Sequence, residues 1–229
     1  MTAADESARY DPLTHVAQPD HPDREAEARA LLGRAIRDIG HAVSGHHVPL
    51  ELLDEAAVAL RGLVDRFETG THRDRMEIAQ LHARWDPAPR DGAEMFGHDE
   101  RPISGRSSPW GLDLRIVRDG DEAVASVTLR AAHEGAPGRS HGGIVAALFD
   151  DVSGFVLNLL ETPAYTGELT VRYEAGTPIG VPLECRCRLD RREGRKIHMT
   201  GELTADGTVL ARMRGLFLAI DRQRFLAGG

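Results

Sequence analysis

The chain has 229 residues, with only two cysteines, 5% aromatic residues and a single lysine, Lys196, among 28 basic side chains. Cys185 and Cys187 stand one residue apart, a poor disulfide geometry and no framework for a metal. The 11 histidines include His46, His47 and His72, but no H-E-x-x-H or C-x-x-C spacing accompanies them, so no metal site is expected. The longest uncharged apolar stretches fall well short of the roughly 20 residues of a membrane span. The opening Met1-Thr-Ala-Ala-Asp-Glu is acidic and lacks the apolar core of a signal peptide. A phosphate-binding glycine loop and a dinucleotide fingerprint are missing as well. The expectation is a soluble, cytoplasmic protein without a metal or bound cofactor.

Charge is uneven. Residues 1–105 carry 12 arginines against 20 acidic residues, and residues 106–229 balance 16 against 16, so the net charge of −8 lies in the first half. An acidic half gives a nucleic acid no basic face to bind.

The length suits one domain with an appendage. Residues 1–21 read as a flexible acidic tail, and 22–70 as a helical hairpin. In the first helix Ala28, Leu31, Leu32, Ala35, Ile36, Ile39 and Val43 recur at three- and four-residue spacing. Pro49 opens the second, striped by Leu53, Ala56, Ala57, Leu60, Val64 and Phe67. These stripes are expected to be covered by the main domain or another subunit. Residues 71–108 form a connector with one short helix near Arg75–Arg84, part of it packed on the domain. A domain follows over 109–222, with a tail at 223–229.

Within that domain Leu112, Leu114 and Ile116 alternate with polar residues, and so do Val124, Ser126 and Thr128. After a Gly/Pro-rich loop, a run from His141 to Leu160 reads as a helix apolar nearly all round, hence buried. Strand patterns occupy 168–174, 183–189, 196–203 and 209–220. The order predicts an α+β fold, an antiparallel sheet curled around one helix.

The chemistry concentrates in Gly138-Arg-Ser-His-Gly-Gly-Ile-Val-Ala-Ala-Leu-Phe-Asp-Asp151. Glycines at a helix start allow close approach of a ligand and leave first-turn N–H groups free, which suits a developing oxyanion. An ordinary glycine-containing loop would look the same. Asp150 tips the balance, because a carboxylate among Leu148, Phe149 and Val152 serves either an ion pair or acid–base chemistry. Asp151 competes, but the two point about 100° apart on a helix and cannot share one role. Gly138-Arg-Ser-His-Gly142 also matches G-x-S-x-G, yet Ala132–Pro137 is not the hydrophobic strand a nucleophile elbow needs.

His141-Gly-Gly, Asp150 nine residues on, and Thr166-Gly-Glu-Leu-Thr-Val-Arg-Tyr173 together resemble the hotdog-fold acyl-CoA thioesterases of the PaaI-like and THEM-type branch. Arg192-Glu-Gly-Arg-Lys196 resembles them too. The likeness covers residues 110–220 and implies a sheet-wrapped helix, with two subunits building two active sites at their interface. It implies Asp150 as general base or nucleophile, Gly142 as oxyanion N–H donor, and Gly143 permitting close approach. His141 would hold the loop and Thr166 would orient a water. Ser140 would lie beside the substrate, and Arg192, Arg195 and Lys196 would meet the phosphates of coenzyme A, present only as part of the substrate. Some relatives carry an Asn six residues before the His. Here that position is Gly135, leaving Glu134, Ser140 or Thr166 to place the water.

The function expected is hydrolysis of an acyl-CoA or acyl-carrier thioester by a homodimer or dimer of dimers, without nucleic-acid or membrane partners. The alternatives are a non-catalytic acyl-CoA or acyl-carrier binder, which would need neither Asp150 nor Thr166, and a hydratase on the same fold, for which the extra His/Asp pairing is missing.

Overall fold

A computed structural model describes residues 22–73 and 88–221. The expected tails and the short helix near Arg75–Arg84 lie outside the described residues. Two helices come first, α1 (Pro22–Gly45) and α2 (Leu50–Glu68). Six strands then form one antiparallel sheet: β1 (Arg115–Asp119), β2 (Glu122–Thr128), β5 (Ala164–Tyr173), β6 (Pro182–Glu193), β7 (Lys196–Ala205) and β8 (Thr208–Ala219). Their order is β1-β2-β6-β7-β8-β5, so β5 is an edge. A small hairpin, β3 (Glu134–Ala136) and β4 (Arg139–Ser140), precedes α3 (Gly142–Leu159).

Alternation explains the sheet. Leu183, Cys185 and Cys187 of β6, Ile197, Met199 and Leu203 of β7, and Met213 and Phe217 of β8 are buried on one face. Against them lie Leu148, Phe149, Val152, Phe155 and Val156 of α3. Gly201 makes room: a Cβ there would come within 2.8 Å of Cys187 Sγ and 3.0 Å of the Phe149 ring. By length and composition α3 could span a membrane, yet half of it is buried against this sheet. β1 starts only at Arg115, so Leu112 and Leu114, read as strand residues, precede it.

The structure corrects three sequence readings. First, α3 is not covered all round. Over its first half Val145, Leu148 and Phe149 are buried on one side while Gly143 and Asp150 are exposed on the other; from Asp151 to Leu157 every residue but Gly154 is buried. The apolar run holds small residues, Ala146 and Ala147, on the open side, and these look apolar in sequence without filling a core.

Second, α1 docks by a different face. Ala30, Gly33, Arg37 and His41 are buried, whereas Leu31, Leu32, Ile36 and Val43 are exposed. A Cβ on Gly33 would lie 2.4 Å from the Ser107 carbonyl oxygen, so glycine alone permits this approach. Arg37 then donates to the carbonyls of Arg106 (3.0 Å) and Ser108 (2.5 Å) and to Asp113 Oδ1 (2.9 Å). Loop carbonyls need donors when buried, and the helix supplies them.

Third, α2 buries no residue, so the described residues of the main domain do not cover its stripe, and of the two covers expected only another subunit is left. The connector does contribute to the domain. Met95 enters the core, and Arg101 reaches α3.

Candidate active site

The site is built on the open side of α3 and the strand that runs beside it. Asp150 is exposed rather than sunk among Leu148, Phe149 and Val152, because those three point to the sheet. Its Oδ1 accepts a hydrogen bond from Thr166 Oγ1 on β5 at 2.8 Å. Asp151 is the buried carboxylate, with 8% of its side chain exposed. Arg101 donates through Nη2 (2.9 Å) and Nε (3.2 Å) to Asp151 Oδ1, and through Nη2 to the Asp151 carbonyl at 3.0 Å. The guanidinium also lies 4.6 Å over the Phe155 ring. The two neighbouring carboxylates therefore divide their roles: Asp151 ties the connector to the core, and Asp150 faces out.

The first turn of α3 is held by its own side chains. His141 caps it, its Nδ1 accepting the Gly143 N–H at 3.0 Å. With Nδ1 an acceptor, the neutral ring carries its proton on Nε2. The His141 carbonyl accepts the Ile144 N–H at 3.0 Å. In a trans peptide the N–H points opposite to the carbonyl, so the Gly142 N–H of that same peptide is directed out of the helix start. It donates to no acceptor among the described residues. Helix polarity adds partial positive charge there. Tyr173 Oη, at the far end of β5, donates to the Gly142 carbonyl at 2.7 Å and fixes the next peptide. Sequence reasoning missed Tyr173 and Arg101, 31 residues from Gly142 and 50 from Asp151. No local pattern signals either contact.

Gly135 explains its own identity. A Cβ there would stand 2.8 Å from His141 Cα, so an asparagine at that position would push into the cap residue. Glu134 accepts the Gly138 N–H, and Ser140 Oγ is turned to the His141 carbonyl at 3.3 Å. Of the three substitutes considered for water placement, Thr166 is the one on Asp150.

The basic cluster sits at the β6–β7 turn, and all of it is exposed. Arg192 reaches Thr162 Oγ1 (3.3 Å), in the turn between α3 and β5, and Arg195 donates to the Ala219 carbonyl (2.9 Å). Lys196 opens β7. The cluster thus lies near the strand start that carries Thr166, and away from the Gly142 turn. No metal-competent grouping of His, Cys, Asp and Glu occurs among the described residues.

Known proteins match these same elements. Residues 138–211 fit the family model described as the thioesterase superfamily. The sheet and its central helix have the hotdog fold, and the matched segment is similar to the thioesterase superfamily. A crystal structure of a thioesterase superfamily protein superposes with a TM-score of 0.69 at 24% identity, covering 83% of this chain and 90% of its own. That coverage extends beyond the hotdog domain into the N-terminal region. The mouse (Mus musculus) acyl-coenzyme A thioesterase THEM5 is 29% identical over 90 residues, 38% of this chain. The match spans 36% of that relative's length. The E. coli PaaI protein from the phenylacetic acid degradation operon gives a TM-score of 0.46 at 20% identity, over 48% of this chain and 81% of its own.

Proposed function

We propose that this protein hydrolyses an acyl-CoA thioester to a free acid and coenzyme A. The observation that carries the reading is a single one: Asp150, paired with Thr166 of β5, stands exposed on the same helix whose first N–H, on Gly142, has no acceptor among the described residues. A thioester hydrolase needs both parts, a base or nucleophile and a donor for the oxyanion.

With Asp150 as base, its carboxylate takes a proton from water while the water oxygen adds to the acyl carbon. The carbonyl electron pair moves to oxygen and is met by the Gly142 N–H. Collapse breaks the C–S bond, and the departing thiolate takes the proton back from Asp150. With Asp150 as nucleophile, its oxygen adds to the acyl carbon and the C–S bond breaks, releasing coenzyme A as thiolate. Water then adds to the mixed anhydride, the C–O bond to Asp150 breaks to restore its carboxylate, and the water's proton passes to the thiolate. Thr166 holds Oδ1 in either course. Carboxylate and amide suffice for this chemistry as written.

Gly142 and Asp150 are eight residues apart on one helix, about 12 Å along its axis. They cannot address one acyl carbon within a chain. A second copy, pairing along the ten-residue exposed edge strand β5, would bring its own Gly142 turn to this Asp150. We therefore read the active form as a homodimer or a dimer of dimers. Arg192, Arg195 and Lys196 would meet the phosphates of coenzyme A.

Release of free thiol from a panel of short, branched, aromatic and long-chain CoA thioesters tests this reading. Turnover of at least one is expected. Binding of the panel without any thiol release would instead favour an acyl-CoA or acyl-carrier binding protein.

A further inference from the structure

Three histidines connect α1 to the first turn of α3, and only the last belongs to the site described above. His41 of α1 is buried, and its Nδ1 accepts the Ala132 N–H at 3.0 Å. Its ring stands edge-on to His133, with centroids 4.6 Å apart and planes at 84°. His133 closes a 3₁₀ turn, Ala131–His133, and its Nδ1 accepts the Arg130 N–H at 3.0 Å. The His133 carbonyl accepts the His141 N–H at 2.8 Å. His141 in turn accepts the Gly143 N–H. Each ring uses Nδ1 as an acceptor for a backbone N–H, and the series ends at the Gly143 N–H, one peptide beyond the Gly142 N–H that faces out.

The arrangement does more than attach a helix. Arg37 and the Asp38–Arg130 pair already anchor α1 to the domain. His41 instead fixes a turn whose next contact is the backbone of the cap residue. We propose that His41 is a positioning residue, holding the Gly142–Gly143 turn in its reactive geometry through Ala132 and His133. The kinetic consequence rests on the thioesterase reading; the structural one does not. Displacing an oxyanion donor by about 1 Å costs on the order of 100-fold in rate, so a contact two steps away can be felt in turnover.

The test compares His41→Ala, His41→Gln and His41→Asn. Asparagine places an oxygen where Nδ1 stood and can accept the Ala132 N–H; glutamine places it at the far nitrogen and cannot. Amide hydrogen exchange over residues 130–145 is read alongside kcat and KM on a CoA thioester. His41→Ala and His41→Gln should speed exchange in this segment by about tenfold and lower kcat by about tenfold, with KM within about twofold. His41→Asn should return both to within about threefold of the parent. Unchanged exchange at 141–143 in the alanine and glutamine variants would overturn the proposal, as would an asparagine variant no better than they are. If the parent protein releases no thiol from any thioester, the functional reading falls, and the exchange comparison alone decides the role of His41.

Discussion

α3 and α1 both pack on the same domain, and they dock by opposite means. α3 buries apolar residues against the sheet and leaves the side that carries Gly143 and Asp150 open. α1 leaves its apolar stripe open and buries a glycine, an arginine and a histidine. Periodicity alone ranks the α1 stripe as the docking face, because burial of apolar area is the dominant favourable term in most packing. Here the partner surface is a loop whose Arg106 and Ser108 carbonyls accept from Arg37 and whose Ser107 backbone lies against Gly33, so donors and close approach decide the docking face. A helix face is chosen by the needs of the surface opposite it.

The largest expected effects separate the two sides of α3. Asp150→Asn should lower turnover by about 100-fold or more while leaving the melting temperature in place. Asp151→Asn should do the reverse. It removes the carboxylate that partners Arg101 and should cost about 2 kcal/mol of stability, with turnover per folded molecule largely kept. Kinetics and thermal melts on both variants check the division. Loss of activity in both without loss of stability would erase it.

On α1 the contrast is between buried polar and exposed apolar residues. Arg37→Ala leaves two carbonyls and Asp113 without their donor and should cost about 2–3 kcal/mol in urea unfolding. Leu31→Ser, on the stripe that sequence ranks first, should cost less than about 0.5 kcal/mol. A larger cost for Leu31→Ser would show that the stripe is covered in the assembled protein.

The pH dependence has a definite sign. Burial, then the charges of His41 and Arg130, pushes the His133 ionisation down from 6.5 to about 4. His41 is lowered as well, by burial first and then by Arg130. The unfolded chain therefore takes up protons between pH 6.5 and 4 that the folded chain refuses. Stability from neutral His133 is present above pH 6.5 and is lost as the pH falls through that window, by on the order of 3 kcal/mol. His133→Asn, which keeps an acceptor but does not titrate, should flatten the slope measured by urea unfolding across that range. A slope unchanged by this substitution would assign the acid sensitivity elsewhere.

How much of this the amino-acid sequence discloses depends on the interaction. The sheet is legible because Leu183, Cys185 and Cys187 alternate with Glu184 and Arg186, and a two-residue period has one interpretation. The extent of α3 is legible from its apolar run, but its open side is not, since Ala146 and Ala147 count as apolar wherever they point. The Asp150–Thr166 pairing was reached through family resemblance, while reasoning from burial alone placed Asp150 in the core. Arg101 with Asp151, Arg37 with the Ser108 carbonyl, and Tyr173 with Gly142 join distant residues through single hydrogen bonds. Such contacts have no period to read.

The central claim is that one site takes Asp150 from one chain and the Gly142 N–H from another. Gly142→Pro removes that N–H at the first helical position; His141 at φ −64° and ψ 136° already has the backbone a following proline requires, and the Tyr173 phenol, 3.1 Å from a Cβ at this position, must yield by a few tenths of an ångström. Each of Asp150→Asn and Gly142→Pro should be inactive alone. Co-expressed at equal levels with two different tags, half of the dimers would be mixed, and each mixed dimer would hold one intact site of two. The mixture should recover about a quarter of the parent rate, all of it in the doubly tagged fraction. No recovery in doubly tagged dimers that are folded and paired would contradict the account.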